Sequence, residues 1–327
     1  MMERNLIIII SILLTSNWAC KPDMPSVSPP EKKERVEAIG FDGTRYQAVQ
    51  DAPVVQSRKD SMLNIAYRKF LKDSTKLENI IWYGRRLAYL TRYQEAIAVF
   101  THGIKYHPES PELYRHRGHR YISIRKPIEA VDDLMKAARL VGSRPIQIEP
   151  DGIPNRSNKP LSSLQFNIWY HLGLAHYLQQ NYKEAQISYE SCLKYSTNPD
   201  LKCATADWLY MTYKRRGLTE KPKELLKTIT ENMVLIENEA YHQRLLMYKG
   251  LRSPEDILTS SSTAAGRQLD MATQGYGVGN WYLYNGEAKK AIDIFQRVLK
   301  TSYWPAFGYL AAESDLEYLN ARYPDLF

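Results

Sequence analysis

A glycine followed twelve residues later by an alanine recurs four times along the chain: Gly84 and Ala96, Gly118 and Ala130, Gly173 and Ala185, Gly279 and Ala291. The first two pairs stand 34 residues apart, the third lies 55 beyond the second, and the fourth 106 further on. The last two intervals are one period of 34 plus 21 and three periods plus four. Agreement in both spacing and offset marks an internal repeat, which constrains a fold more tightly than local propensity does. Each unit reads as two helices joined by a short turn. Small residues at the glycine and alanine slots let those helices approach closely, and large residues fill the gap to the next unit. One such unit cannot bury its apolar face alone, but a stack can.

The residues flanking these slots resemble the tetratricopeptide repeat, whose pattern is W-x2-L-G-x2-Y, then A-x3-F, then P. The third unit carries Trp169, Leu172, Gly173, His176, Ala185 and Tyr189. The first carries Tyr83, Gly84, Leu87, Ala96, Phe100 and Pro108; the second Tyr114, Gly118, Tyr121, Ala130 and Leu134; the last Val278, Gly279, Tyr282, Ala291 and Phe295. Two weaker units fit between, one with Ala206, Asp207 and Tyr210 one period after Leu172, Gly173 and His176, the other over residues 241–258. The resemblance implies an all-α fold, a right-handed α-solenoid of about six helix pairs. Helices over residues 60–72 and 305–319 would cap its ends. Residues 142–164, with four prolines and two glycines, hold the excess over the period. They are expected to be a long insertion, either a flap folded onto the solenoid or a loose loop.

The first 57 residues read differently. Residues 6–14 (LIIIISILL) form an apolar run the length of a signal h-region and too short for a stable span. With Ala19 and Cys20 after it, the segment resembles a bacterial lipoprotein signal. The resemblance implies cleavage after residue 19, acylation of Cys20 and anchoring at a membrane of the cell envelope, periplasmic or outer-membrane. Ordinary secretory cleavage is the alternative. Residues 20–57 are expected to be a disordered or irregular tether, Pro-rich at first, and residues 58–327 the solenoid.

A net charge of +8 favours acidic partners. The Lys and Arg residues form no long basic block, so a nucleic-acid partner is not expected. In the tetratricopeptide fold the first helix of each unit lines a concave groove. Mapped onto this chain, the inward positions include Arg85, Tyr89, Arg115, His119, Tyr170, Trp208, Tyr276 and Asn280. Such an aromatic and basic groove suits an extended peptide or protein segment with carboxylates. The alternative is a small or polymeric anion in the same groove, such as a glycan or cell-wall fragment. A further possibility is that several of these rings are simply core.

His116 and His119 share a helix face, which is metal-compatible, but three arginines flank them and no local carboxylate joins them, so no metal is expected. Arg117 occupies a packing slot and implies a buried polar partner. The Gly275, Gly277 and Gly279 run lacks a preceding strand and the G-x-G-x-x-G spacing of a dinucleotide loop. No catalytic motif, and hence no catalytic residue or cofactor, is expected, and the reading is a non-enzymatic binding scaffold. Cys192 and Cys203 are candidates for a disulfide across a unit interface or for two buried free thiols.

Overall fold

The computed structural model describes residues 35–259 and 264–327. The segment expected to be a signal, and Cys20, lie outside the described residues. A hairpin of β1 (Val36–Ile39) and β2 (Arg45–Gln47) leads into α1 (Pro53–Lys72). Six helix pairs follow: α2 (Leu77–Tyr89) with α3 (Tyr93–Tyr106), α4 (Pro111–Ser123) with α5 (Pro127–Val141), and α6 (Leu164–Leu178) with α7 (Tyr182–Leu193). Then come α8 (Pro199–Arg215) with α9 (Glu220–Lys227), α10 (Glu239–Tyr248) with α11 (Pro254–Leu258), and α12 (Ala264–Tyr284) with α13 (Ala288–Leu299). The last helix is α14 (Phe307–Arg322).

From α1 to α8 each helix packs on the next, and the first helices of successive pairs also touch, α2 on α4 through to α10 on α12. That pattern is an all-α solenoid. The repeat slots do what their sizes require. A Cβ built on Gly84, Gly118, Gly173 or Gly279 would lie 2.4 to 2.8 Å from Phe100, Leu134, Tyr189 or Phe295, the large residue sixteen positions later. Ala96, Ala130, Ala185 and Ala291 are fully buried. In these four pairs a glycine on the first helix therefore receives the ring or isobutyl group of the second.

All six pairs close with the same turn. Two residues past the first helix, Thr91, Arg125, Gln180, Gly217, Gly250 and Gly286 each have positive φ, from 54° to 89°. The next N–H bonds back five residues in every case, as from Arg92 to Leu87 or Leu218 to Tyr213. This is the helix-terminating motif in which a left-handed residue lets the last carbonyls find donors. The turn also corrects the phase of the fourth unit. Counting back from Gly217 puts Tyr210 rather than Asp207 opposite the glycine slot, because α8 runs longer than its predecessors. Asp207, Met211 and Arg215 then take inward positions, whereas Trp208 does not.

Glycine is the low-strain residue in a left-handed turn. Three turns do without it, and each uses its side chain to hold another element. Thr91 Oγ1 accepts from Val49 N at 2.8 Å, just beyond β2. Arg125 pairs with Glu313 of α14, and Gln180 Nε2 donates to Asp315 of α14 at 3.0 Å. The helix that was expected only to cap the open end does pack on α12 and α13, but it also lies against α6, three pairs back.

The expectation of irregular chain up to residue 57 is overturned. α1 begins at Pro53, and β1 pairs antiparallel with β2, with a bulge between Val36 and Ala38. The hairpin has few apolar residues of its own and draws its packing from distant parts of the chain. Tyr46 stacks on Trp304, whose indole N–H donates to Gln47 O at 2.9 Å. The local signal was Asp42-Gly43, where Gly43 has φ 86° and Asp42 accepts from Thr44 N.

Candidate functional site

The inward faces of the later pairs are occupied by the chain's own α14. Arg215 pairs with Asp315, and the Tyr276 hydroxyl sits 2.9 Å from the same carboxylate and 2.7 Å from the Tyr177 hydroxyl. Asn280 Nδ2 donates to Tyr177 at 3.2 Å, and Arg215 Nη1 donates to Asn280 Oδ1 at 3.2 Å. The Tyr170 hydroxyl donates to Tyr241 at 3.1 Å, and its ring, like that of His171, lies near Phe307. Tyr170, Trp208, Tyr276 and Asn280 are all buried. The open aromatic groove expected along the whole stack gives way here, because Tyr170 and Tyr276 are packed against α14 and Trp208 against Tyr177, Tyr189 and Tyr276. What is left is a cavity of 260 Å³ lined by Trp208, Tyr241, Arg244, Tyr276 and Phe307, among others.

Arg85, Tyr89, Arg115 and His119 are brought together between the first two pairs. They line a 130 Å³ cavity with Phe100, His116 and Arg120. The insertion is a flap over this region. Arg85 Nη2 donates to Pro150 O at 2.7 Å, and Arg86 Nη1 donates to Gly152 O at 2.9 Å. Glu149 pairs with Arg115 Nη2 at 2.8 Å and accepts from Asn167. Burial, with the guanidiniums of Arg115, Arg85 and Arg120 beside it, holds His116 well below the usual histidine value. His119 and His171 are likewise pushed well down by burial and nearby arginines. Neutral imidazoles can donate or accept, but these carry no charge near neutral pH. Arg117 has found its partners: Nε and Nη2 each donate to Asp133 at 2.7 Å, and Nη1 to Thr101 at 3.0 Å.

The two described cysteines are free and buried. Cys192 Sγ lies 3.3 Å from Thr205 Oγ1, and Cys203 Sγ lies 3.7 Å from Met233 Sδ. A disulfide between them is not formed, since each sulfur faces its own neighbour. Burial pushes both thiols up to about 12. No group of three or more His, Cys, Asp or Glu suited to a metal ion occurs among the described residues.

A further concavity was not singled out by repeat phasing, because one of its walls is the non-repeat helix α1. It measures 660 Å³ and runs between α1 and α2, with Met62, Ile65 and Trp82 as apolar lining and Lys69, Lys72, Lys76 and Arg86 around them. A second hollow of 330 Å³ shares Met62 and Arg86 with it and extends to Val54, Val55 and the flap residues Ile153 and Pro154. Val54 is 84% exposed and Ile153 61%. The local signal was present: α1 carries apolar residues at Val54, Val55, Met62 and Ile65, outside the face that buries Leu63, Ala66 and Phe70.

The fold and this surface define an all-α helical-repeat protein with a mixed apolar and basic trough at its first helices. The chain carries a tetratricopeptide repeat: the family model of that description matches residues 166–199, which contain most of α6 and all of α7. Similar solved structures include the MamA protein, 14% identical over 61% of this chain and 89% of that one, with a TM-score of 0.41. YrrB, described as a TPR protein with an unusual peptide-binding site, is 14% identical, covers 77% of this chain and 97% of its own, and has a TM-score of 0.40. A tetratricopeptide repeat protein from Parabacteroides merdae is 14% identical over 80% of this chain and 94% of its own, with a TM-score of 0.47. No curated protein matches the chain.

Proposed function

We propose that this chain is a non-enzymatic interaction scaffold of the bacterial cell envelope, tethered through Cys20, that takes an acidic partner segment with apolar anchors in the trough between α1 and α2. The observation that carries the reading is the trough's composition. Met62, Ile65 and Trp82 offer apolar contact, while Lys69, Lys72, Lys76 and Arg86 outnumber Asp73 and Glu78. Large exposed apolar side chains rimmed by charge are the usual mark of a protein-binding surface, and the basic rim selects partners with carboxylates and speeds their encounter. The reading moves the binding surface away from Tyr170, Trp208, Tyr276 and Asn280 and keeps the kind of partner that the basic groove implied.

Partners captured from envelope extract by the full chain, and acidic peptides derived from them, test the proposal. Ile65→Asp together with Lys69→Glu changes two exposed positions and leaves the core untouched. At a hot spot worth about 2 kcal/mol, partner affinity falls about thirtyfold. Unchanged capture by this variant would remove the trough from the reading. Fatty-acid labelling that is lost in Cys20→Ala tests the tether; equal labelling of both forms refutes it.

A further inference from the structure

The small cavity between the first two pairs holds more positive charge than the protein neutralises. Three guanidiniums, Arg85, Arg115 and Arg120, line its 130 Å³ together with His116 and His119. One carboxylate, Glu149, pairs with Arg115 and lies 3.7 Å from His116 Nε2. Arg85 donates to Pro150 O and the Tyr89 hydroxyl, both uncharged acceptors, and the flap's Asp151 carboxylate lies within its electrostatic reach.

Three sets of donors at this cavity have no hydrogen-bond partner among the described residues. Arg115 Nε is buried and unpaired. The Arg120 side chain makes no hydrogen bond or ion pair, and its guanidinium lies 5.2 Å from the centre of the Tyr93 ring. The His119 ring makes only ring contacts, 4.0 Å from His171 and 5.5 Å from Phe307. Of these donors Arg115 Nε is the buried one, and buried donors are nearly always satisfied; His119 and Arg120 are half-buried, so their unmet donors stay open to an anion that enters the cavity. Burial and the neighbouring Arg115 and Arg85 bring Arg120 down to about 10, partly offset by Tyr93 and Tyr89, as expected where positive charge is left uncompensated.

We propose that this cavity is a binding site for a tetrahedral oxyanion of phosphate size, either free or as the phosphoryl group of a larger molecule. Arg115, Arg120 and His119 supply the contacts, and the insertion flap is held beside the cavity through Arg85 and Arg115. Guanidinium forks match such oxygens in pairs. Several unmet donors around one small volume favour an anion with several acceptor oxygens over a halide. The site is separate from the α1–α2 trough and stands whether or not that trough binds a partner.

The test uses the full chain, thermal unfolding and titration calorimetry, with inorganic phosphate, sulfate and O-phosphoethanolamine as probes and sodium chloride matched for ionic strength as the control. Phosphate is expected to raise Tm saturably and chloride is not. Arg120→Gln should weaken phosphate binding at least tenfold. Without phosphate this variant should unfold at the same temperature as the parent or higher, since an uncompensated charge is gone; a purely structural arginine would give a lower Tm. Ile65→Asp with Lys69→Glu should bind phosphate as the parent does, so failure here and failure of the trough are distinguishable. Phosphoethanolamine binding as tightly as phosphate points to a phosphoryl headgroup, and binding of phosphate and sulfate alone points to the free anion. No saturable shift with any of the three probes, or an undiminished shift in Arg120→Gln, overturns the proposal.

Discussion

Replacing Arg125 with Met isolates what holds α14 against the earlier pairs. The Arg125 and Glu313 side chains are each 1% exposed, and Nε meets the carboxylate at 2.9 Å. Nη1 donates to Ser123 O at 2.8 Å and Nη2 to Trp304 O at 3.0 Å, while the guanidinium packs 4.5 Å from the Tyr46 ring centre. Methionine fills much of the volume but leaves Glu313 with Tyr46 as its hydrogen-bond donor. Removing one partner of a buried pair costs about 3–5 kcal/mol. At roughly 2 °C per kcal/mol for a folded body of this size, Tm falls by about 6–10 °C. Burial already raises the Glu313 carboxyl above its ordinary value against the pull of Arg125. Without the arginine it rises further, so the variant can shed the stranded charge by taking up a proton. Its deficit relative to the parent is therefore full above the new folded pKa and shrinks as pH falls through it. Adding Glu313→Leu should recover much of the loss, because two apolar groups replace a matched pair at little net cost. Thermal unfolding of the four chains of this cycle at pH 7.5 and 5.5, with hydrogen exchange in α14, reads all of this. If Arg125→Met melts within about 1 °C of the parent, or the cycle shows no coupling, the pair does not hold α14 in place.

Two further outcomes follow from the packing and the charges. Gly173→Ala adds a methyl 2.6 Å from the Tyr189 ring; overpacking of about 1–3 kcal/mol outweighs the helix-propensity gain of about 1 kcal/mol, so urea unfolding should show a net loss, and a more stable variant would refute the repeat packing. The depressed histidines His116, His119 and His171 stay neutral in the folded chain while the unfolded chain protonates near pH 6.5. Their contribution is complete above pH 6.5 and is lost as pH falls from there. His171→Gln should flatten the fall of Tm over that window, and an unchanged slope would show that His171 is not held neutral.

The repeat could be read from the sequence because its information is local. Gly84 with Phe100 and Gly173 with Tyr189 meet within one helix pair, so a fixed offset carries the contact, and the six pairs, α1 and α14 were all legible in outline. The phase of the fourth unit was not. Its added residues lengthen α8 without breaking the helical pattern, and only Gly217 at the turn shows where the helix stops. The hairpin escaped notice for a related reason: Tyr46 packs on Trp304 and bonds Glu313, and Glu37 is held by Gln94, residues far away in the chain.

The candidate site divides along the same line. That Arg85, Tyr89, Arg115 and His119 share one wall followed from the repeat phase, and the structure gathers them around one cavity. That Tyr170 and Tyr276 meet α14, while Trp208 is buried among other rings and Asn280 against Tyr177 and Arg215, did not follow, because a repeat specifies which side of a helix faces inward but not what lies there. By itself the sequence determined the unit, its period and the sign of the charge that the first two pairs present. Only the tertiary structure decided where the stack meets its own last helix, since Arg125 with Glu313 and Arg215 with Asp315 are pairs across 188 and 100 residues, beyond the reach of any local pattern.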